Sequence, residues 1–157
     1  MIVVFDTDVI LPMLLPASRS TRLYQRLRVN QHTVAASQLI FDEVREKLLT
    51  DTALREWLAL PERDLLTFVR DLPRYFRSTP GLVTVVGAVK DDPKDDKILA
   101  AAKEAGASYL ISEDRHLRKL NVWEGIEIMN RDEFTSELDR LGVPQLAKPT
   151  PRKRKPK

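Results

Sequence analysis

Residues 90–116 read KDDPKDDKILAAAKEAGASYLISEDRH. Carboxylates at Asp91, Asp92, Asp95 and Asp96 stand just before an alanine-rich helical stretch, and Glu113 and Asp114 close a short apolar strand. Acids at a helix start, followed by acids at a strand end, point to a metal site at one edge of a parallel sheet. In open α/β sheets the ligand crevice lies outside the carboxyl ends of the strands. Two earlier segments bring further acids: Asp6 and Asp8 follow the apolar run at 2–5, and Glu43 sits one to two turns into a stretch opened by Ser37. Hard divalent cations prefer oxygen ligands, and magnesium takes only one or two carboxylates directly while keeping several waters. Carboxylates that converge without partners raise each other's pKa, and a cation removes that conflict. A metal pair lowers the pKa of an attacking water and stabilises the leaving oxygen in phosphodiester cleavage.

Each acid also has a purely local use. Asp6 can cap a turn, and Asp114 can cap the stretch RHLRKL. Glu43 can pair with Lys47 four residues on. Asp92, Asp95 and Asp96 all suit a helix N-terminus through the macrodipole. On an α-helix Asp92 and Asp96 share a face. His32 and His116 are lone histidines and read as solvent-facing or structural. No Ser/His/Asp arrangement, glycine-rich phosphate loop or zinc spacing is present.

The elements that must position these residues follow from periodicity. Strands are expected at 2–5, 33–36, 82–86, 109–111 and 126–129, where β-branched and apolar residues cluster. Helices are expected from Ser18 or Ser20 to about Val29, from Ser37 to about Thr50, and from Asp51 through Trp57. Further helices should run from Pro61 to a break near Pro73, over 95–105 to a stop at Gly106, over 115–120, and from Asn130 to about Leu141. Asn130 with Glu133 forms the pattern of a capping box. The stripe Leu65, Val69, Leu72 and Phe76 reads as core, and Trp57 and Trp123 as partly buried packing residues. Strands alternating with helices predict a three-layer α/β/α domain with a central, mostly parallel sheet.

The chain has 157 residues, 43% hydrophobic and 31% charged, so one globular domain is expected. There is no cysteine, which excludes disulfides and thiolate metal sites and fits a cytoplasmic setting. No apolar run approaches the roughly 20 residues of a membrane span. The start, MIVVFDTDVI, lacks a basic flank and reads as a strand, not a signal peptide. The net charge of +3 hides an asymmetry: the last ten residues carry six Lys and Arg and no acid, leaving −3 for 1–147. The expected organisation is a domain at 1–143 and a basic, disordered tail at 144–157, which either attracts phosphate backbones or simply keeps the protein soluble.

Taken in order, FDTDVI, SQLIFDEV, DPKDDKILAAA and LISEDRHL resemble the PIN-domain nucleases. The similarity covers roughly residues 2–130 and is closest to the small prokaryotic branch described as toxin components of toxin–antitoxin pairs. It implies a PIN-like α/β fold and an endoribonuclease dependent on Mg2+ or Mn2+. It also implies a catalytic and metal-binding set of Asp6, Glu43, Asp96 and Asp114, with Asp8, Ser112 and Asp92 as supporting groups. The choice of Asp96 over Asp95 comes from the family pattern alone. This chain departs from that pattern at Asp8, where asparagine is commoner, at Glu113, where glycine is usual, and at His116, where relatives often carry an acid. The partners implied are RNA, a protein antitoxin and a second copy of the chain, with no membrane. Two other readings stand beside this one. FDTDV also fits the nucleophile motif of haloacid-dehalogenase phosphatases, with Asp6 attacking and Asp8 as acid. A PIN-like module that binds RNA or a partner without cleaving is the other.

Overall fold

The structure, a computed structural model, describes residues 1–148. Strands β1 (Ile2–Phe5), β2 (Thr33–Ser37), β3 (Arg77–Thr79), β4 (Tyr109–Ile111), β5 (Val122–Trp123) and β6 (Ile126–Met129) form one sheet in the order β3-β2-β1-β4-β6-β5. All neighbours pair in parallel except β5, which turns back antiparallel to β6. Consecutive residues of a strand point to opposite faces. Val3, Val4 and Phe5, with Leu110 and Ile111, are all fully buried, so the central strands are covered on both sides. The helices are α1 (Thr7–Ile10), α2 (Arg19–Val29), α3 (Gln38–Thr50), α4 (Thr52–Leu58), α5 (Glu62–Asp71), α6 (Asp96–Ala105), α7 (Arg115–Arg118) and α8 (Arg131–Arg140). Together with the sheet they make the expected three-layer α/β/α architecture.

Most boundaries follow local chemistry. Ser18 caps α2 by accepting from the Thr21 N–H at 3.1 Å, and Ser37 caps α3 from Ile40. Asn130 and Glu133 close a complete capping box on α8. Gly106, at φ 66°, ends α6 in the left-handed conformation that costs glycine nothing. Pro73 falls in the single turn of 3₁₀ helix, Leu72–Arg74, that ends α5. Leu65, Leu72 and Phe76 are core, as the stripe predicts. Trp57 is not a packing residue: it is 65% exposed on α4, whereas Trp123 is half-buried with the Lys103 ammonium 5.9 Å from its ring centre.

The strand expected at 82–86 does not form. The place beside β2 is taken by Arg77–Thr79, in register Ala35↔Arg77 to Ser37↔Thr79. Residues 82–86 instead run along α6, with Leu82 and Val86 turned to solvent at 83% and 87% exposure. Two α6 carboxylates hold this loop. Glu104 accepts from the Gly81 and Leu82 N–H groups at 2.8 and 2.6 Å, and Asp96 accepts from Gly87 and Val89, both at 2.8 Å. These bonds anchor the segment to α6 at both of its ends.

Pro144 and Gln145, assigned to the tail by composition, are held to the domain. The Pro144 carbonyl accepts from Arg26 Nε at 3.2 Å and Asn30 Nδ2 at 3.0 Å, and Gln145 reaches Asp139 at 3.4 Å. Residues 149–157 of the expected tail lie outside the described residues. Among the described residues no helix is long and apolar enough to cross a membrane.

Candidate metal centre

Strand order runs outward from β1 to β2 and β3, then resumes on the other side with β4 and β6. The reversal puts a crevice outside the carboxyl ends of β1 and β4. Asp6 and Ser112 leave those two strands side by side: the Asp6 N–H bonds the Ile111 carbonyl at 2.9 Å. Ser112, fully buried, donates its hydroxyl to Asp6 Oδ2 at 2.6 Å and accepts from the Asp114 N–H at 2.9 Å. One hydroxyl thus ties the acid of the first strand to the backbone carrying the acid of the fourth. Asp6 Oδ1 also caps α1, accepting from Thr7 N–H at 2.6 Å. Asp114 caps α7 through the His116 N–H at 2.7 Å. Capping and convergence therefore coexist in both residues.

The four acids of the KDDPKDD run separate into three directions. Asp91 turns outward to Lys119 Nζ at 3.2 Å, with His116 Nδ1 at 3.6 Å. Asp96, buried, spends one oxygen on Gly87 and the other on Val89. Asp92 and Asp95 face inward, and with Asp114 they bring oxygen atoms within 4.8 Å of one another. The reason is the turn between them. Pro93–Asp95 is 3₁₀ helix, capped by Asp92. Three residues per turn eclipse i and i+3, so Asp92 stacks over Asp95, whereas the α-helical reading had paired it with Asp96.

Charge confirms the crowding. Burial pushes the Asp95 carboxyl up to about 7, reinforced by the charges of Asp6, Asp114, Asp92 and Glu43. Its Oδ2 is buried with no hydrogen-bond partner. Burial also raises Asp6, against the lowering pull of Ser112 and Thr7. Asp8 is pushed up to about 7 by burial and then by Asp6; its oxygen accepts from the Glu113 N–H at 3.4 Å, so it braces the β4 exit. Glu43 differs. Burial alone would raise it, but Lys97 at 2.7 Å and Lys47 at 3.3 Å hold it below the ordinary glutamate value. Glu113 is paired with Arg131, whose guanidinium and N–H both bind its Oε1, at 2.8 and 3.1 Å, although its charge still contributes to raising Asp8.

Of the residues singled out from sequence, the structure brings Asp6, Glu43, Asp92, Asp114, Asp8 and Ser112 to this edge and turns Asp96 into the loop. Asp95 is the acid that the family pattern passed over in favour of Asp96; Pro93 suits the first turn of a helix but does not by itself distinguish a 3₁₀ turn from an α turn. An orphaned buried carboxylate oxygen beside two further carboxylates is a donor set suited to a hard divalent cation.

Fold and crevice together define an α/β protein with an acid-lined centre at its topological switch point. The family model of the PIN domain matches residues 2–116, and the chain belongs to that family. PIN domains are generally nucleases that use divalent metals. A comparison with curated proteins returns no match.

Proposed function

We propose that the chain is a Mg2+- or Mn2+-dependent endoribonuclease whose ion is held by Asp92, Asp95 and Asp114, with Asp6 and Glu43 completing the acidic centre. The observation that carries this is Asp95: a carboxylate pushed up to about 7 by burial and then by the charges of three aspartates and a glutamate, with one buried oxygen unpartnered. Asp95 here takes the place that the family pattern gave to Asp96. A divalent ion, when bound, activates water for attack on a phosphodiester and stabilises the leaving oxygen. Ser112 orients Asp6 through its 2.6 Å bond and fixes the Asp114 backbone through the other. Asp8 steadies the same turn from the α1 side.

Membership of the PIN family takes the place of the haloacid-dehalogenase alternative. Resemblance to the small prokaryotic branch extends the proposal: a cytoplasmic toxin component, active on RNA as a homodimer and restrained by a small protein antitoxin that covers the acidic crevice. The test is cleavage of a mixed RNA pool with and without manganese, beside the Asp95→Asn variant. Metal-dependent cleavage by the wild type and none by the variant is expected. The toxin role has its own readout: induced expression of the wild type arrests growth of a bacterial host and Asp95→Asn does not. Equal cleavage by both proteins would overturn the site, and absence of manganese binding would favour a non-catalytic binding module.

A further inference from the structure

Glu43 does not wait in the crevice with free oxygens. Lys97 Nζ lies 2.7 Å from its Oε2 and Lys47 Nζ 3.3 Å from its Oε1. The Lys47 pair joins residues four apart on α3 and is an ordinary feature of a helix surface. The Lys97 pair crosses from α6 to α3. Lys97 follows Asp95 and Asp96 directly in the chain, and the adjacent Ile98 and Leu99 are fully buried, which fixes its place at the crevice wall. Both partners are mostly covered, with side chains 28% and 23% exposed, so water screens the bond less than a surface pair.

Five carboxylates meet here: Asp6, Glu43, Asp92, Asp95 and Asp114. Among the described residues, Lys97 and Lys47 are the cations in salt-bridge contact with any of them. We infer that Lys97 is a built-in counter-cation of the acidic centre: it holds Glu43 in the metal-free protein, exchanges it for an incoming divalent ion, and then faces the phosphate of the substrate. This rests on the metal-dependent reading above. The electrostatics favour the exchange. An ion adds two positive charges beside the ammonium, which repels it, and the phosphate restores the negative charge that Lys97 gives up. An ammonium on a flexible four-carbon stem is a point charge able to change partners, unlike a guanidinium locked in a fork.

The exchange is observable without any turnover. In spectra of protein with 15N-labelled lysine, assigned through the side-chain carbons, the Lys97 Nζ signal should be protected in metal-free protein and shift or broaden on addition of Mg2+. In calorimetric titration Lys97→Gln should bind Mn2+ about tenfold more tightly than the wild type, the size of one charge-assisted hydrogen bond no longer broken on binding. Lys47→Gln should change affinity less. Unchanged or weaker Mn2+ binding by Lys97→Gln, or a Lys97 signal indifferent to saturating Mg2+, would overturn the role of Lys97 and leave the metal site standing. No Mn2+ binding by wild type or variant would overturn the metal reading and this inference with it. Should Lys97→Gln fail to fold, the spectra of the wild type decide the matter alone.

Discussion

Asp95 carries an unrelieved charge problem in the crevice. Its Oδ2 is buried without a partner, and its neighbours are carboxylates. Replacing it with asparagine removes the repulsion and the ligand together. Metal-dependent cleavage should therefore fall by at least about 100-fold, beyond the loss typical for residues that merely orient a ligand. The metal-free variant should melt no lower than the wild type, because nothing that Asp95 donates to the fold is lost. Cleavage assays and thermal denaturation in chelator check the two halves. Asp6 and Asp114 were readable as strand-end acids, because an apolar run ends where its carboxylate begins. That Asp95, and not Asp96, turns toward Asp92 and Asp114 was not readable: a shift of one residue depends on whether the turn after Asp92 is 3₁₀ or α, and periodicity over three residues does not distinguish them. The Glu43–Lys47 pair was legible as an i,i+4 spacing, whereas Lys97 joins it only through the tertiary fold.

At the scale of elements, the loop between β3 and α6 is strapped to α6 at both ends, by Glu104 and by Asp96. This gives Asp96 a structural task that can be separated from chemistry. Asparagine has one acceptor oxygen where two N–H donors need satisfying, so Asp96→Asn should cost about 1–3 kcal/mol of stability. Urea unfolding measures this. Mn2+ affinity should fall less than in Asp95→Asn, and an Asp96→Asn protein that is as stable as the wild type but has lost its metal would restore Asp96 as the ligand. The same loop explains the missed strand. LVTVV at 82–86 has the stronger β composition, yet strand preference reflects a pleated, half-buried setting, and the edge of β2 is occupied by the short segment Arg77–Thr79. Where a signal was local and complete, as in the Asn130–Glu133 box or the Gly106 stop, the sequence reading and the structure coincide.

Across the whole molecule, charge sets a pH optimum for the metal-free protein. Asp95 and Asp8 are both pushed up to about 7, chiefly by burial, from an ordinary 3.8. Their raised values mean that the folded protein keeps protons which the unfolded chain has released. The stability this gives is complete below about pH 4 and is lost as pH rises through about 7. Other groups run the opposite way. Asp91 is lowered by its bond to Lys119, Asp139 by Arg26, and Glu43, against its burial, by Lys97. Their contributions are present at neutral pH and are lost as pH falls through their depressed values. In chelator, the melting temperature should therefore fall from pH 5.5 to pH 8, the window set by the two groups near 7. Saturating Mg2+ should flatten or reverse that slope, because an ion that binds the ionised centre stabilises the fold more as protons leave it. Scanning calorimetry at matched ionic strength tests both arms. A melting temperature that stays level or climbs from pH 5.5 to 8 in chelator would mean that the crevice carboxylates are ordinary surface acids, with no strain for a cation to relieve.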